Sequence, residues 1–258
     1  LWKLDEKKKF YVDSGQPHKF YQEYMMEVQS EEDSIFNMRH VKYWDGFFRF
    51  DEKEKHPYIH QDGEKIPVNV FAGVDPATDS DRRDSDFSVI MVVACDPNAN
   101  IYVLDYIRKR SLPVLGIPGE DKKGIVDHMF DINKKYMPTL FTVEDTSMSK
   151  PIFQALRGEM RRKNDFSLRF KEETPGTRSK LDRIQEVLAQ RMSIGAVRIR
   201  DSHYDLQDEI ITFGKRMAHD DTIDALAYAV KYAHPPQGQA TGDWKKKPIT
   251  KPRSWLVA

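Results

Sequence analysis

The run Val68-Asn69-Val70-Phe71-Ala72-Gly73-Val74-Asp75-Pro76-Ala77 constrains this chain more than any other stretch. An apolar, β-branched segment of strand length stops abruptly at a carboxylate and a proline. That is the pattern of a buried strand delivering one acid to its own end. Burying a charge without a partner is costly, and a metal ion is the most economical partner for Asp75. A metal needs further ligands, so the acids that end or open other regular elements become the residues of interest.

The chain has 258 residues, enough for one large domain or two small ones. Its formal net charge is zero although 32% of its residues are charged. Overall neutrality does not exclude nucleic acid, because only the local patch matters. The single cysteine, Cys95, lies in an apolar run and has no partner for an intramolecular disulfide. It reads as a core residue of a reduced, intracellular protein. No signal-peptide pattern and no apolar run of membrane length is present, so no membrane partner is expected. The sequence opens at Leu1 within helix-like sequence and reads as a fragment of something longer.

Three parts are expected. Residues 1–67 are polar and aromatic, with a short amphipathic helix at Pro17–Met26 and a turn at Asp45-Gly46, and read as a packing extension or interdomain connector. Residues 68–234 carry regular patterning. Residues 235–258 are rich in Pro, Gly and Lys and read as a flexible basic tail. Within the middle part, Val68–Val74, Phe87–Ala94 and Ile101–Arg108 are strands joined by short connections, which predicts an antiparallel meander. A helix at Lys123–Tyr136, a strand at Thr139–Val143, a helix at Ser149–Arg162 and a strand at Ser167–Phe170 follow. A helix at Gly176–Met192, a strand at Ala196–Ile199, a helical or extended Leu206–Phe213 and a helix at His219–Ala233 complete the order. Crossovers in the second half add parallel strands. The predicted fold is α/β, a mixed central sheet flanked by helices.

Asp75 closes the first strand of this domain, and Glu144, with Asp145 beside it, closes the fourth. Asp220, Asp221 and Asp224 open the last helix. Neighbouring strands lie about 4.8 Å apart, so pairing of those two strands brings Asp75 and Glu144 to one point. Asp221 and Asp224 are three apart and share a helix face, as do Asp220 and Asp224. Two like charges at 4 Å repel by about 4 kcal/mol at an effective dielectric near 20, and a divalent cation reverses that sign. Carboxylate ligation favours Mg²⁺ or Mn²⁺ over Zn²⁺. Two such ions about 3.5–4 Å apart can activate water and stabilise a leaving oxygen in phosphodiester cleavage. Blander readings compete: a strand-end aspartate forms turns, and aspartates at a helix start cap it and complement its dipole. The acids of Thr78–Asp86 read as a solvated loop with Asp86 as a possible helper, and His219 as structural.

At this point the residues resemble a known family. The order Val70-Phe71-Ala72-Gly73-Val74-Asp75-Pro76-Ala77, Thr142-Val143-Glu144-Asp145 and His219-Asp220-Asp221-Thr222-Ile223-Asp224-Ala225-Leu226 looks like the nuclease domain of a tailed-phage large terminase. That domain has the ribonuclease H-like fold shared with RuvC-type resolvases. The segment His18-Lys19-Phe20-Tyr21-Gln22-Glu23-Tyr24-Met25 is similar to the family's stretch between motor and nuclease. No Gly-x-x-x-x-Gly-Lys-Ser/Thr phosphate loop is found, so the packaging ATPase domain is expected upstream of this sequence.

The resemblance implies metal-dependent endonucleolytic cutting of concatemeric viral DNA in the host cell cytoplasm. Mg²⁺ or Mn²⁺, as two ions, would be the cofactor. The terminase ATPase domain, the small terminase subunit and the portal would be partners. By carry-over, Asp75, Glu144 and Asp221 would be the catalytic metal-binding acids, while Asp220 and Asp224 leave the third ligand open and Asp145 is the weaker choice beside Glu144. For DNA, Arg157, Arg161, Arg162 and Lys163 cluster at one helix end, and Arg178, Lys180 and Arg183 precede and open the next. Lys180 and Arg183 lie in a stretch similar to the family's Lys-x-x-Arg-Ile, and are favoured for phosphate contact. Such contacts give salt-sensitive, sequence-independent binding. Three rival functions compete with the nuclease. An actin-like ATPase or sugar kinase also ends its first strand in Asp, but follows it with a Gly-rich turn, where this chain has Pro76-Ala77-Thr78-Asp79. A junction resolvase shares the fold and the acids, and a docking module of a packaging motor would need no catalysis.

Overall fold

The computed structural model describes residues 2–13, 35–36, 38–77, 87–110, 112–117, 122–174, 176–214 and 219–236. Helix α1 (Trp2–Asp13) comes first, then a 3-10 turn (Met38–His40) and strand β1 (Lys42–Tyr43). A meander follows, β2 (Phe47–Asp51), β3 (His56–Gln61) and β4 (Glu64–Pro67). The long strands β5 (Asn69–Asp75), β6 (Phe87–Cys95) and β7 (Ile101–Arg110) lead into α2 (Ile125–Tyr136), β8 (Leu140–Glu144), α3 (Ser149–Lys163) and β9 (Phe170–Glu173). Helix α4 (Lys180–Ser193), β10 (Val197–Ile199), α5 (Tyr204–Thr212) and α6 (Asp221–Lys231) complete the order.

The main sheet has seven strands in the order β1-β10-β7-β6-β5-β8-β9. Strands β5, β6 and β7 are antiparallel, and β8, β9, β10 and β1 each join in parallel. This is the mixed sheet the sequence predicts. The β6–β7 hairpin is tight because Asp96 accepts from the backbone N–H groups of Asn98 and Asn100, both at 2.8 Å, an Asx-type turn.

Side chains alternate across the sheet. Along β5, Val70, Ala72 and Val74 face one layer, packed with Ile125 and Met129 of α2 and Ile152 and Leu156 of α3. Phe71, on the opposite face, packs in the second layer with Ile184 and Leu188 of α4, Ile210 of α5 and Leu226 and Val230 of α6. Gly73 and Asp75 follow Phe71 in that alternation. A Cβ on Gly73 would lie 2.1 Å from the carbonyl oxygen of Ala225 and 2.4 Å from the backbone nitrogen of Ala229. Only a glycine lets the α6 backbone rest on the strand there, and the helix meets it with alanines one turn apart.

The described part of the expected extension from Phe36 onward is built into the fold. Strand β1 widens the main sheet beyond β10. Trp44 is buried and its indole N–H donates to the Val103 carbonyl at 3.1 Å. Ile59 of β3 is fully buried and Phe36 nearly so. The expected strand at Ser167–Phe170 instead begins at Phe170, paired with Phe141. The cause is local: Asp165 accepts from the Ser167 backbone N–H at 3.0 Å and hydroxyl at 2.6 Å, which holds Ser167 in a turn. The ambiguous segment near Leu206 is helical, as α5. The expected helix at 17–26, the loop at 78–86 with Asp86, and the tail from 237 lie outside the described residues. Among the described residues no helix is long and apolar enough to cross a membrane.

Gly73→Ala is expected to lower the unfolding free energy by about 1–3 kcal/mol, read as a lower urea midpoint with an unchanged m-value, the usual effect of overpacking a filled contact. Alanine is intrinsically better than glycine in a strand, so a stabilised variant would show that α6 does not need this contact.

Candidate metal centre

The register Val74↔Val143 between β5 and β8 places Asp75 and Glu144 side by side at the ends of adjacent parallel strands. Both follow a residue on the α6 side by two, Gly73 and Thr142, so both carboxylates turn toward that helix. Asp224 comes down from α6. One carboxylate oxygen from each of Asp75, Glu144 and Asp224 lies within 4.8 Å of the others. Asp75 and Asp224 are buried, at 7% and 1% exposure, and Glu144 is half-buried.

The structure therefore brings Asp75 and Glu144 together, with Asp224 as the third acid in space. Asp221 points elsewhere: its Oδ2 accepts from the Phe87 backbone N–H at 3.0 Å and lies 3.8 Å from His219 Nδ1. As the first residue of α6 it reaches back to the start of β6. Asp220 is in the cap position without making a cap bond, and its carboxylate accepts from Lys180 at 2.7 Å. Asp145 accepts from Ser149 and Thr174, both at 3.3 Å, and so ties the β8–α3 connection.

The cations expected on a DNA surface divide into two groups. Lys180 Nζ lies 2.7 Å from Asp220, 3.2 Å from Asp224 and 3.9 Å from Asp75. Arg183 lies 3.5 Å from both Glu144 and Asp224 and donates to the Tyr228 hydroxyl. These two are turned into the acid cluster, where four carboxylates lie within 4 Å of them. Arg178, Arg161 and Arg162 are exposed. Arg178 pairs with Glu186, and Arg162 with Glu159 at 2.6 Å. Arg161 and Arg162 sit in the last turn of α3, about 20 Å along the helix from its start near Glu144. The structure does not join them to Lys180 and Arg183 as one patch.

Four carboxylates thus face two cations. Burial, then the charges of Asp224 and Glu144, hold the Asp75 carboxyl well above the usual range, with Lys180 pulling the other way. Burial also raises Asp224, to about 6, against the pull of Lys180. Lys180 keeps its proton more firmly than usual, because three carboxylates outweigh the effect of burial. The acids are short of positive charge. Their donor atoms are hard carboxylate oxygens, the set that suits Mg²⁺ or Mn²⁺.

Tyr228 was not anticipated from sequence. Its hydroxyl donates to Glu144 Oε1 at 2.8 Å while Arg183 donates to it. The available signal was a polar tip one turn beyond Asp224, on a helix otherwise lined by Ile, Leu and Ala.

A meander continued by parallel strands, helices on both faces, and acids at the ends of β5 and β8 and on α6 define an α/β domain of the ribonuclease H-like class. Residues 72–233 match the sequence model of the terminase RNaseH-like domain, and the chain belongs to that family. The crystal structure of the large terminase nuclease from thermophilic phage G20c aligns with a TM-score of 0.50 at 13% identity, covering 78% of this chain and 99% of that one. The same nuclease with bound cobalt aligns at 0.51 and 13%, covering 77% and 97%. Thermus thermophilus RuvC in complex with a Holliday junction substrate aligns at 0.33 and 16%, covering 63% and 90%. At these identities the likeness concerns the fold alone. No curated protein sequence matches. Membership of the terminase family supports a nuclease role.

The raised acids set a pH dependence. The folded state binds protons that the unfolded state has released, so the metal-free fold loses stability as pH rises from about 4 to about 6. Denaturation in EDTA across this range checks it, and Asp224→Asn is expected to flatten the profile.

Proposed function

We propose that this domain is a divalent-metal-dependent endonuclease that cuts double-stranded DNA during viral genome packaging. The observation that supports it is the convergence of Asp75, Glu144 and Asp224 within 4.8 Å. These three would hold Mg²⁺ or Mn²⁺, with Asp220 next to them. When bound, a pair of such ions lowers the pKa of water and offsets charge on the leaving oxygen.

The chain's own groups prepare that site. Tyr228 and Arg183 orient Glu144. Lys180, with 36% of its side chain exposed, places a positive charge at the rim of the acids, where a DNA phosphate would approach. Arg178, exposed nearby, extends that charge outward. Arg161 and Arg162 would meet only a longer stretch of duplex. The family adds its context: concatemeric DNA as substrate, the terminase ATPase domain, small subunit and portal as partners, and the cytoplasm of an infected host as the setting.

Nicking of supercoiled plasmid with Mn²⁺ tests the reading. EDTA should abolish it, and Asp75→Ala and Asp224→Asn should each slow it by about 100-fold or more, as expected for several kcal/mol of lost stabilisation. Asp221→Asn should stay within about threefold, since its carboxylate serves Phe87 rather than the cluster. Ligase should seal the nicks, as 5′-phosphate and 3′-hydroxyl ends require. Cutting that survives in Asp75→Ala would remove the assignment. No Mn²⁺-dependent cutting in the parent would leave a docking module, and preference for four-way junctions over linear duplex would point to a resolvase.

Lys180→Ala should also weaken DNA binding and flatten its dependence on salt by about one counterion. An unchanged slope would take Lys180 out of phosphate contact.

A further inference from the structure

Helix α6 carries Asp224 near its start yet does not cap itself. The first N–H groups of a helix lack partners within it, and Asp220, in the cap position, gives its carboxylate to Lys180 instead. The missing acceptor comes from α5. Glu209 Oε2 accepts from the Ile223 backbone N–H at 2.8 Å, and Oε1 accepts from the Thr222 hydroxyl at 2.8 Å. Arg108 of β7 closes the other side, donating from Nε to the Thr222 hydroxyl at 3.1 Å and lying 3.5 Å from Glu209.

Glu209 is only 5% exposed. Burying a carboxylate is costly, and an apolar side chain would fill that space more cheaply. What it would not do is accept the Ile223 N–H, one residue before Asp224. We infer that Glu209 is a positioning residue of the acid centre: it caps α6 from the neighbouring helix and so fixes the direction from which Asp224 meets Asp75 and Glu144. The metal-binding consequence rests on the nuclease reading, while the capping itself does not.

The test uses Glu209→Ala and Glu209→Gln in the full chain, with circular dichroism for the fold. Hydrogen exchange is followed in peptides covering 219–226 against those covering β5 and β6, and the Mn²⁺ concentration for half-maximal nicking is measured. Glu209→Ala should exchange faster at 221–224 while β5 and β6 keep their protection. Its half-maximal Mn²⁺ should rise about five- to tenfold, the effect of a lost cap, with the rate at saturating Mn²⁺ largely restored. Glu209→Gln, which keeps an acceptor, should shift by less than about threefold.

Exchange that is unchanged, or that rises equally in β5 and β6, overturns the inference, as does an Mn²⁺ requirement within about twofold of the parent. If Glu209→Ala does not fold, Glu209→Asp, one methylene too short to keep the bond to the Ile223 N–H, decides: faster exchange confined to 221–224 supports the role, and uniform or absent change overturns it. A parent chain that neither nicks nor responds to Mn²⁺ ends the nuclease reading alone, and the exchange pattern still decides whether Glu209 holds α6.

Discussion

The acid centre depends on how closely α6 lies on β5. Gly73 has no side chain, and Ala225 and Ala229 have little, so backbone meets backbone. That approach places Asp224, next to Ala225, within reach of a carboxylate two residues beyond Gly73. A larger residue at any of the three positions would push the helix outward, and a lateral shift of about 1 Å is large on the scale of metal ligation. The fit of small residues in the second core layer and the geometry of the acids are therefore one constraint.

Such closeness gathers negative charge where water is scarce. Lys180 and Arg183 answer it from α4, and Tyr228 adds a hydroxyl donor to Glu144. The same crowding explains why the two cations expected to face DNA are turned toward the acids, with only Lys180 left at the rim. Around them, α6 is tied to β6 through Asp221 and to α5 through Glu209. The helix that supplies the third acid is thus fixed to α4, α5, β6 and β8.

Much of this was legible in the chain. The apolar run into Asp75, the short turns of the meander and the acid at the end of β8 specified a mixed sheet with two carboxylates brought together. The third was harder to read. Asp221 and Asp224 are three residues apart on a helix, and their spacing alone does not say which one faces the strands. The approach of α6 to Gly73 decides it, and that contact is tertiary. Lys180 and Arg183 carry the spacing of an ordinary amphipathic helix, so their inward turn depends on a field created by residues far off in sequence. Strand β1 was missed because two residues, Lys42 and Tyr43, form a strand only against Arg198 and Ile199. Trp44, read as part of a connector, is fixed by a carbonyl on β7.

The last helix described in the chain holds the third acid, and the helix before it caps that one. During synthesis Asp75 and Glu144 emerge first, and Asp224 arrives only after α6 has left the ribosome. Contacts between such distant segments form late because long loops must close first. A nascent or truncated chain therefore has no complete set of acids, and the fold's own order of assembly delays the centre until the domain is whole.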